Sequence, residues 1–155
     1  MKRGGQAIAS EALEVLRGAA EQVLETMFFA AVSPDAPEAA GEPRVAARLS
    51  FRGEPSGTFA VSLSEAAARA IAANFVGAEN EDDLEPARVA EVVAELANMI
   101  CGSVLSRLES ESEFDLGPPE PVSPLEDPHA GKTLVRTLAL ERGVLTASIE
   151  FCAAA

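Results

Sequence analysis

The sequence has neither tryptophan nor tyrosine, and phenylalanine supplies all seven of its aromatic side chains. Base-stacking platforms for nucleic acid rely on aromatic side chains, so this composition disfavours that class. Basic residues are scarce too, 12 Lys and Arg against 25 Asp and Glu, for a formal net charge of −13. A surface that negative repels phosphate backbones and anionic lipid, and neither nucleic acid nor a membrane surface is an expected partner. The single histidine, His129, cannot build a histidine metal cluster and falls in the loop-like stretch Pro128-His129-Ala130-Gly131. Cys101 and Cys152 stand far apart without CxxC spacing, which fits two buried, inert thiols in a reducing compartment. GxGxxG, P-loop and GxSxG signatures are all missing, so the common cofactor and nucleophile chemistries have no foothold. The start, Met1 to Gly5, is basic but gives way to Glu11, Glu14 and Arg17, so neither a signal peptide nor a membrane span is expected.

What is present is a chain of 155 residues, 48% of them hydrophobic. That length suits one domain, 1–155, and can bury roughly 70% of the unfolded surface without disulfides or metals. The expectation is a soluble, acidic, cytoplasmic protein.

Hydrophobic periodicity divides the chain into helices and strands. Ile8, Ala12, Val15, Leu16, Ala19, Val23, Leu24, Met27 and Phe28 recur at three- and four-residue spacing, predicting a helix from Ala7 to Val32 that Pro34 and Pro37 end. Val45 to Phe51 and Thr58 to Leu63 alternate around the turn-rich Gly53-Glu54-Pro55-Ser56-Gly57, which predicts a hairpin. Ser64 is placed as the N-cap of an alanine-rich helix through Phe75, with Gly77 closing it. An acidic connector, Glu79 to Glu85, leads to Pro86, a residue suited to the first turn of a helix that continues to Leu108. Phe114 to Val122 is a proline-interrupted extended segment suited to an edge. Thr133 to Leu140 and Val144 to Phe151, around Glu141-Arg142-Gly143, predict a terminal antiparallel hairpin. This order gives an α+β fold, long helices packed on a mainly antiparallel sheet.

The Pro86 helix has an unusual outer face. At about 100° per residue, Val89, Val92, Val93, Leu96, Met99, Ile100 and Val104 form a broad apolar side. Glu91, Glu95, Asn98 and Gly102 fall opposite, in a stripe about 60° wide. Asn and Gly both weaken a helix interior, Gly by about 1 kcal/mol relative to Ala. One reading is an ordinary solvated face. The other is a docking ridge, on which a carboxylate pairs with a partner's lysine and a carboxamide orients a water. Positioning of that kind is the main catalytic resource in phosphoryl transfer. A weaker echo, Glu21-x3-Glu25-x2-Phe28, lies on the first helix.

The segment Glu95-Leu96-Ala97-Asn98-Met99-Ile100-Cys101-Gly102 resembles the active-site helix of the CheX/CheC chemotaxis phosphatases. The motif of that family is an acidic or serine residue, three positions, Glu, two positions, Asn, and a proline further along. Glu91, Glu95 and Asn98 match its spacing, and Pro121 falls where the CheC form has its proline, with Pro119 a near alternative. The order of elements is similar along most of the chain, as a CheC-like pseudo-repeat. The first helix has Phe28 where a second Asn would stand, which resembles the one-site CheX type. After the helix, Leu116 to Pro124 lacks a glycine that the family often has following its proline. The resemblance implies a phosphatase that hydrolyses the aspartyl phosphate of a CheY-like response regulator. It casts Asn98 as orienting the attacking water and Glu95 as binding the regulator's lysine. Glu91 would support the face, and Gly102 would allow close approach. It also implies no cofactor of the chain's own, the Mg2+ residing on the regulator, and a homodimer joined along strand edges. The alternative is a non-catalytic, flagellar-switch-type module that binds a regulator through the same face.

Overall fold

The computed structural model describes residues 5–28, 30–33, 44–53, 56–108, 113–122, 134–140 and 143–151. Its elements run α1 (Gly5–Met27), β1 (Arg44–Arg52), β2 (Gly57–Ser64), α2 (Glu65–Val76), a 3-10 turn (Glu81–Asp83), α3 (Pro86–Leu108), β3 (Asp115–Leu116), β4 (Glu120–Val122), β5 (Leu134–Leu140) and β6 (Gly143–Phe151). The strands form one antiparallel sheet in the order β3-β1-β2-β6-β5, with β4 also on β1. The last strand in sequence is therefore inserted beside β2, and β5 becomes an edge. This is the α+β architecture predicted from the sequence.

Alternation explains why one sheet face collects the core. Ala47, Leu49 and Phe51 on β1 are buried while Arg48, Ser50 and Arg52 are exposed. Register then aligns apolar residues across strands: Leu49 faces Phe59, Phe59 faces Ile149, and Ile149 faces Leu134. Against these rows lie Leu16, Val23 and Leu24 of α1, Ala68 and Ile71 of α2, and the apolar side of α3. Phe51 meets Phe114 and Phe151 edge to face, with ring centroids 6.3 and 6.1 Å away. Gly57 lets β2 and β6 approach, because a Cβ there would lie 2.1 Å from the Glu150 carbonyl oxygen.

Two local features depart from the sequence-based expectation. The first helix stops at Met27, well before Pro34 and Pro37, because the Leu24 carbonyl accepts from both the Phe28 and Ala30 N–H groups at 3.2 and 2.9 Å. The chain then turns onto the sheet, where Val32 bridges to Leu140 and the Ser33 N–H donates to the Ala139 carbonyl at 2.8 Å. Ser64 occupies the N-cap position of α2 but makes no cap bond, since its hydroxyl accepts from the Val144 N–H at 3.1 Å. Gly143 makes room for it, as a Cβ there would sit 2.0 Å from Ser64 Oγ. The proline-rich segment lies on the sheet edge as expected, as β3 and β4 on β1 with a bulge between them. Between Leu116↔Phe51 and Glu120↔Arg48 it spends one more residue than β1 does, at Gly117-Pro118-Pro119. The other elements fall near their predicted bounds, with Gly77 in the left-handed conformation (φ 74°) that closes α2. Two predicted features, the Pro124 to Gly131 loop and the Glu141-Arg142 turn, lie outside the described residues.

Phe28 turns into the core, fully buried, and stacks on Phe75 with centroids 4.8 Å apart. Phe28→Ala is expected to cost about 3–5 kcal/mol in urea unfolding. Ser64→Ala, which strands a buried N–H, is expected to cost about 1–3 kcal/mol in the same assay.

Candidate active site

Pro86 opens α3 with the fixed φ that a first helical turn requires, and the Glu85 carbonyl accepts from the Arg88 and Val89 N–H groups at 3.0 and 3.1 Å. From there the helix buries a wide arc: Val89, Val92, Val93, Ala94, Leu96, Ala97, Ile100, Cys101, Val104 and Leu105. The arc is wider than the seven-residue apolar side predicts, and Met99, predicted within it, is only half-buried at its margin. By length and composition α3 is long and apolar enough to cross a membrane. Its apolar residues are instead committed to α1, α2 and the sheet.

The opposite stripe is where the predicted site residues lie. Glu91 and Glu95 are exposed, and Asn98 and Gly102 are half-buried. Helical geometry places all four within about 60° of arc, so one surface of the helix carries them together. Glu91 is already engaged: Arg88 Nη1 lies 2.9 Å from its Oε2, both side chains being exposed. Sequence reasoning missed Arg88, although the three-residue spacing that carries such pairs was visible. Among the described residues, neither the Glu95 carboxylate nor the Asn98 carboxamide has a hydrogen-bond or ion-pair partner within the chain. The two groups are thus available to something outside it. Gly102 has open space beside it apart from Leu116, whose Cδ2 would lie 3.9 Å from an added Cβ. Nothing in the sequence signalled Leu116, because its proximity to Gly102 is created by the fold.

Pro121 is exposed on β4, in register with Ala47 of β1. On α1, Glu21 is half-buried and Glu25 exposed, but the position that would carry the second carboxamide is the buried Phe28. That helix therefore cannot present the same trio of groups. Cys101 is fully buried on the core side of α3, and burial pushes its thiol up to about 12. Cys152 and His129 lie outside the described residues.

A family model, that of the chemotaxis phosphatase CheX, matches residues 45–129, which span β1 through α3 and beyond. The chain belongs to the CheX family. Solved structures of the family share the fold. The chemotaxis protein CheX from Vibrio vulnificus superposes with a TM-score of 0.74 at 23% identity, covering 93% of this chain and 98% of that one. CheX from Borrelia burgdorferi, solved in complex with CheY, BeF3 and Mg2+, gives 0.69 at 20% identity, covering 92% and 98%. FliY from Thermotoga maritima is more distant, 0.58 at 16% identity over 96% and 91%. A comparison with curated protein sequences found no match.

The Cys101 environment gives a reactivity prediction. The folded thiol is protonated at pH 8, so it should resist Ellman's reagent until the chain unfolds. Because the raised value favours the protonated folded form, stability should fall as pH rises from about 9 towards about 12, by about 1.4 kcal/mol per unit. That decline should be shallower in Cys101→Ala.

Proposed function

We propose that this chain hydrolyses the aspartyl phosphate of a CheY-like response regulator, using the outer stripe of α3. The observation that carries this reading is the pair Glu95 and Asn98, displayed one turn apart on a helix packed from behind, with no partner among the described residues. Membership of a chemotaxis phosphatase family supports the reaction class. Glu95 meets the regulator's lysine and fixes the docking angle through a charge-assisted hydrogen bond. Asn98 enters the regulator's site and orients the water for in-line attack, its carboxamide able to donate and accept at once. The Mg2+ that neutralises phosphoryl charge resides on the regulator, so this chain contributes placement rather than a nucleophile or base. Glu91, held by Arg88, supports the face.

The test is phosphate release from phosphorylated receiver domains of the source organism. Wild type should accelerate release. Asn98→Ala should abolish the acceleration with circular dichroism and melting temperature unchanged, since the side chain makes no bond among the described residues. Glu95→Gln should weaken binding, by about tenfold if a charge-assisted bond of about 1.4 kcal/mol is lost. Binding without acceleration by wild type would instead mark a non-catalytic module.

A further inference from the structure

Gly102 lies one turn beyond Asn98 on the same stripe, and the chain's own packing does not require it. A Cβ there would meet Leu116 Cδ2 at 3.9 Å, an ordinary van der Waals contact, and otherwise open space. Alanine would fit and would suit the helix better. Leu116 is the residue that Gly102 leaves uncovered. It is half-buried, and its backbone is fixed on both sides: Leu116 pairs with Phe51, and the Gly117 N–H donates to the Ser50 carbonyl at 2.8 Å. The bulge that begins at Gly117 is the type of irregularity that re-aims side chains along a sheet edge.

We propose that Leu116 is a further contact residue of the ridge: beside the bare backbone of Gly102, it receives an aliphatic side chain of the response regulator and so sets how deeply Asn98 reaches. This rests on the docking role proposed above for α3. The chemistry follows from what lines the position. A leucine methyl next to a helix backbone without a side chain rewards an apolar group and penalises a polar one, which would lose its water there. A methyl added at position 102 would cover Leu116, lift the regulator from the helix and draw Asn98 back from the phosphoryl group. Leu116 is thus a specificity-determining residue, placed by the edge strand rather than by the helix that carries the reacting groups.

The test uses the full chain with beryllofluoride-activated receiver domains of the source organism for binding, and their phosphorylated forms for release. Gly102→Ala should raise the melting temperature yet weaken binding about tenfold, an opposition that a purely structural role cannot produce. Leu116→Ala should weaken binding about fivefold and also slow the saturated release rate, because Asn98 is no longer held at its depth, with Leu116→Met restoring both. The double variant should bind no worse than Gly102→Ala alone, because the first methyl already covers the leucine. Gly102→Ala or Leu116→Met serves if Leu116→Ala fails to fold. Wild-type affinity in Gly102→Ala overturns the proposal while leaving the docking role of α3 standing. If wild type binds none of the regulators, both fall together.

Discussion

The burial of α3 is the constraint on which the rest depends. A helix clamped over so wide an arc, from Val89 to Leu105, cannot rotate or shift without opening the core. The narrow strip left outside inherits that rigidity. Catalysis by placement needs such a support, because a reacting water must be held to a fraction of an ångström and a misplaced amide orients nothing. The sheet completes the clamp: the Leu49, Phe59 and Ile149 row forms its floor, and β6 is locked beside β2 by the Ser64 hydroxyl and the absent side chain of Gly143.

The two long helices show how one fold can support or withhold a site. On α3 the position three residues after Glu95 carries a half-buried carboxamide. The corresponding position on α1 is Phe28, which leaves the helix just past its end and stacks on Phe75. The helix end and the aromatic stack are one event, since the Leu24 carbonyl that closes α1 also turns Phe28 inward. The acidic surface plays a lesser part. Exposed pairs such as Arg88 with Glu91 contribute about 0.3–0.5 kcal/mol, and their role is to arrange charge along the face rather than to hold the fold.

Most of the architecture was legible because it follows from local periodicity. Alternation located both hairpins, three- and four-residue spacing located the helices, and Pro86 and Gly77 marked a start and a stop where the structure has them. The four residues of the stripe were legible for the same reason, since position along a helix fixes direction. What escaped was set by partners distant in sequence. Ser64 stands beside a nearer donor at the start of α2, but its hydroxyl accepts from Val144 across the sheet. Pro34 is the local signal for the end of α1, but the chain leaves earlier to bridge β5. The bulge at Gly117 and the nearness of Leu116 to Gly102 arise only once β1 lies beside the edge strand.

In the proposed function the Asn98 carboxamide enters the active site of a regulator. Replacing the regulator's Mg2+ with paramagnetic Mn2+ tests it without any substitution in this chain. In the complex with a beryllofluoride-activated receiver domain, the side-chain amide signals of Asn98 should broaden beyond detection at sub-stoichiometric Mn2+. Those of Gln22, which lies on α1 against Arg107, should broaden far less. Asn98 signals that stay as sharp as those of Gln22 in a saturated complex would contradict the account.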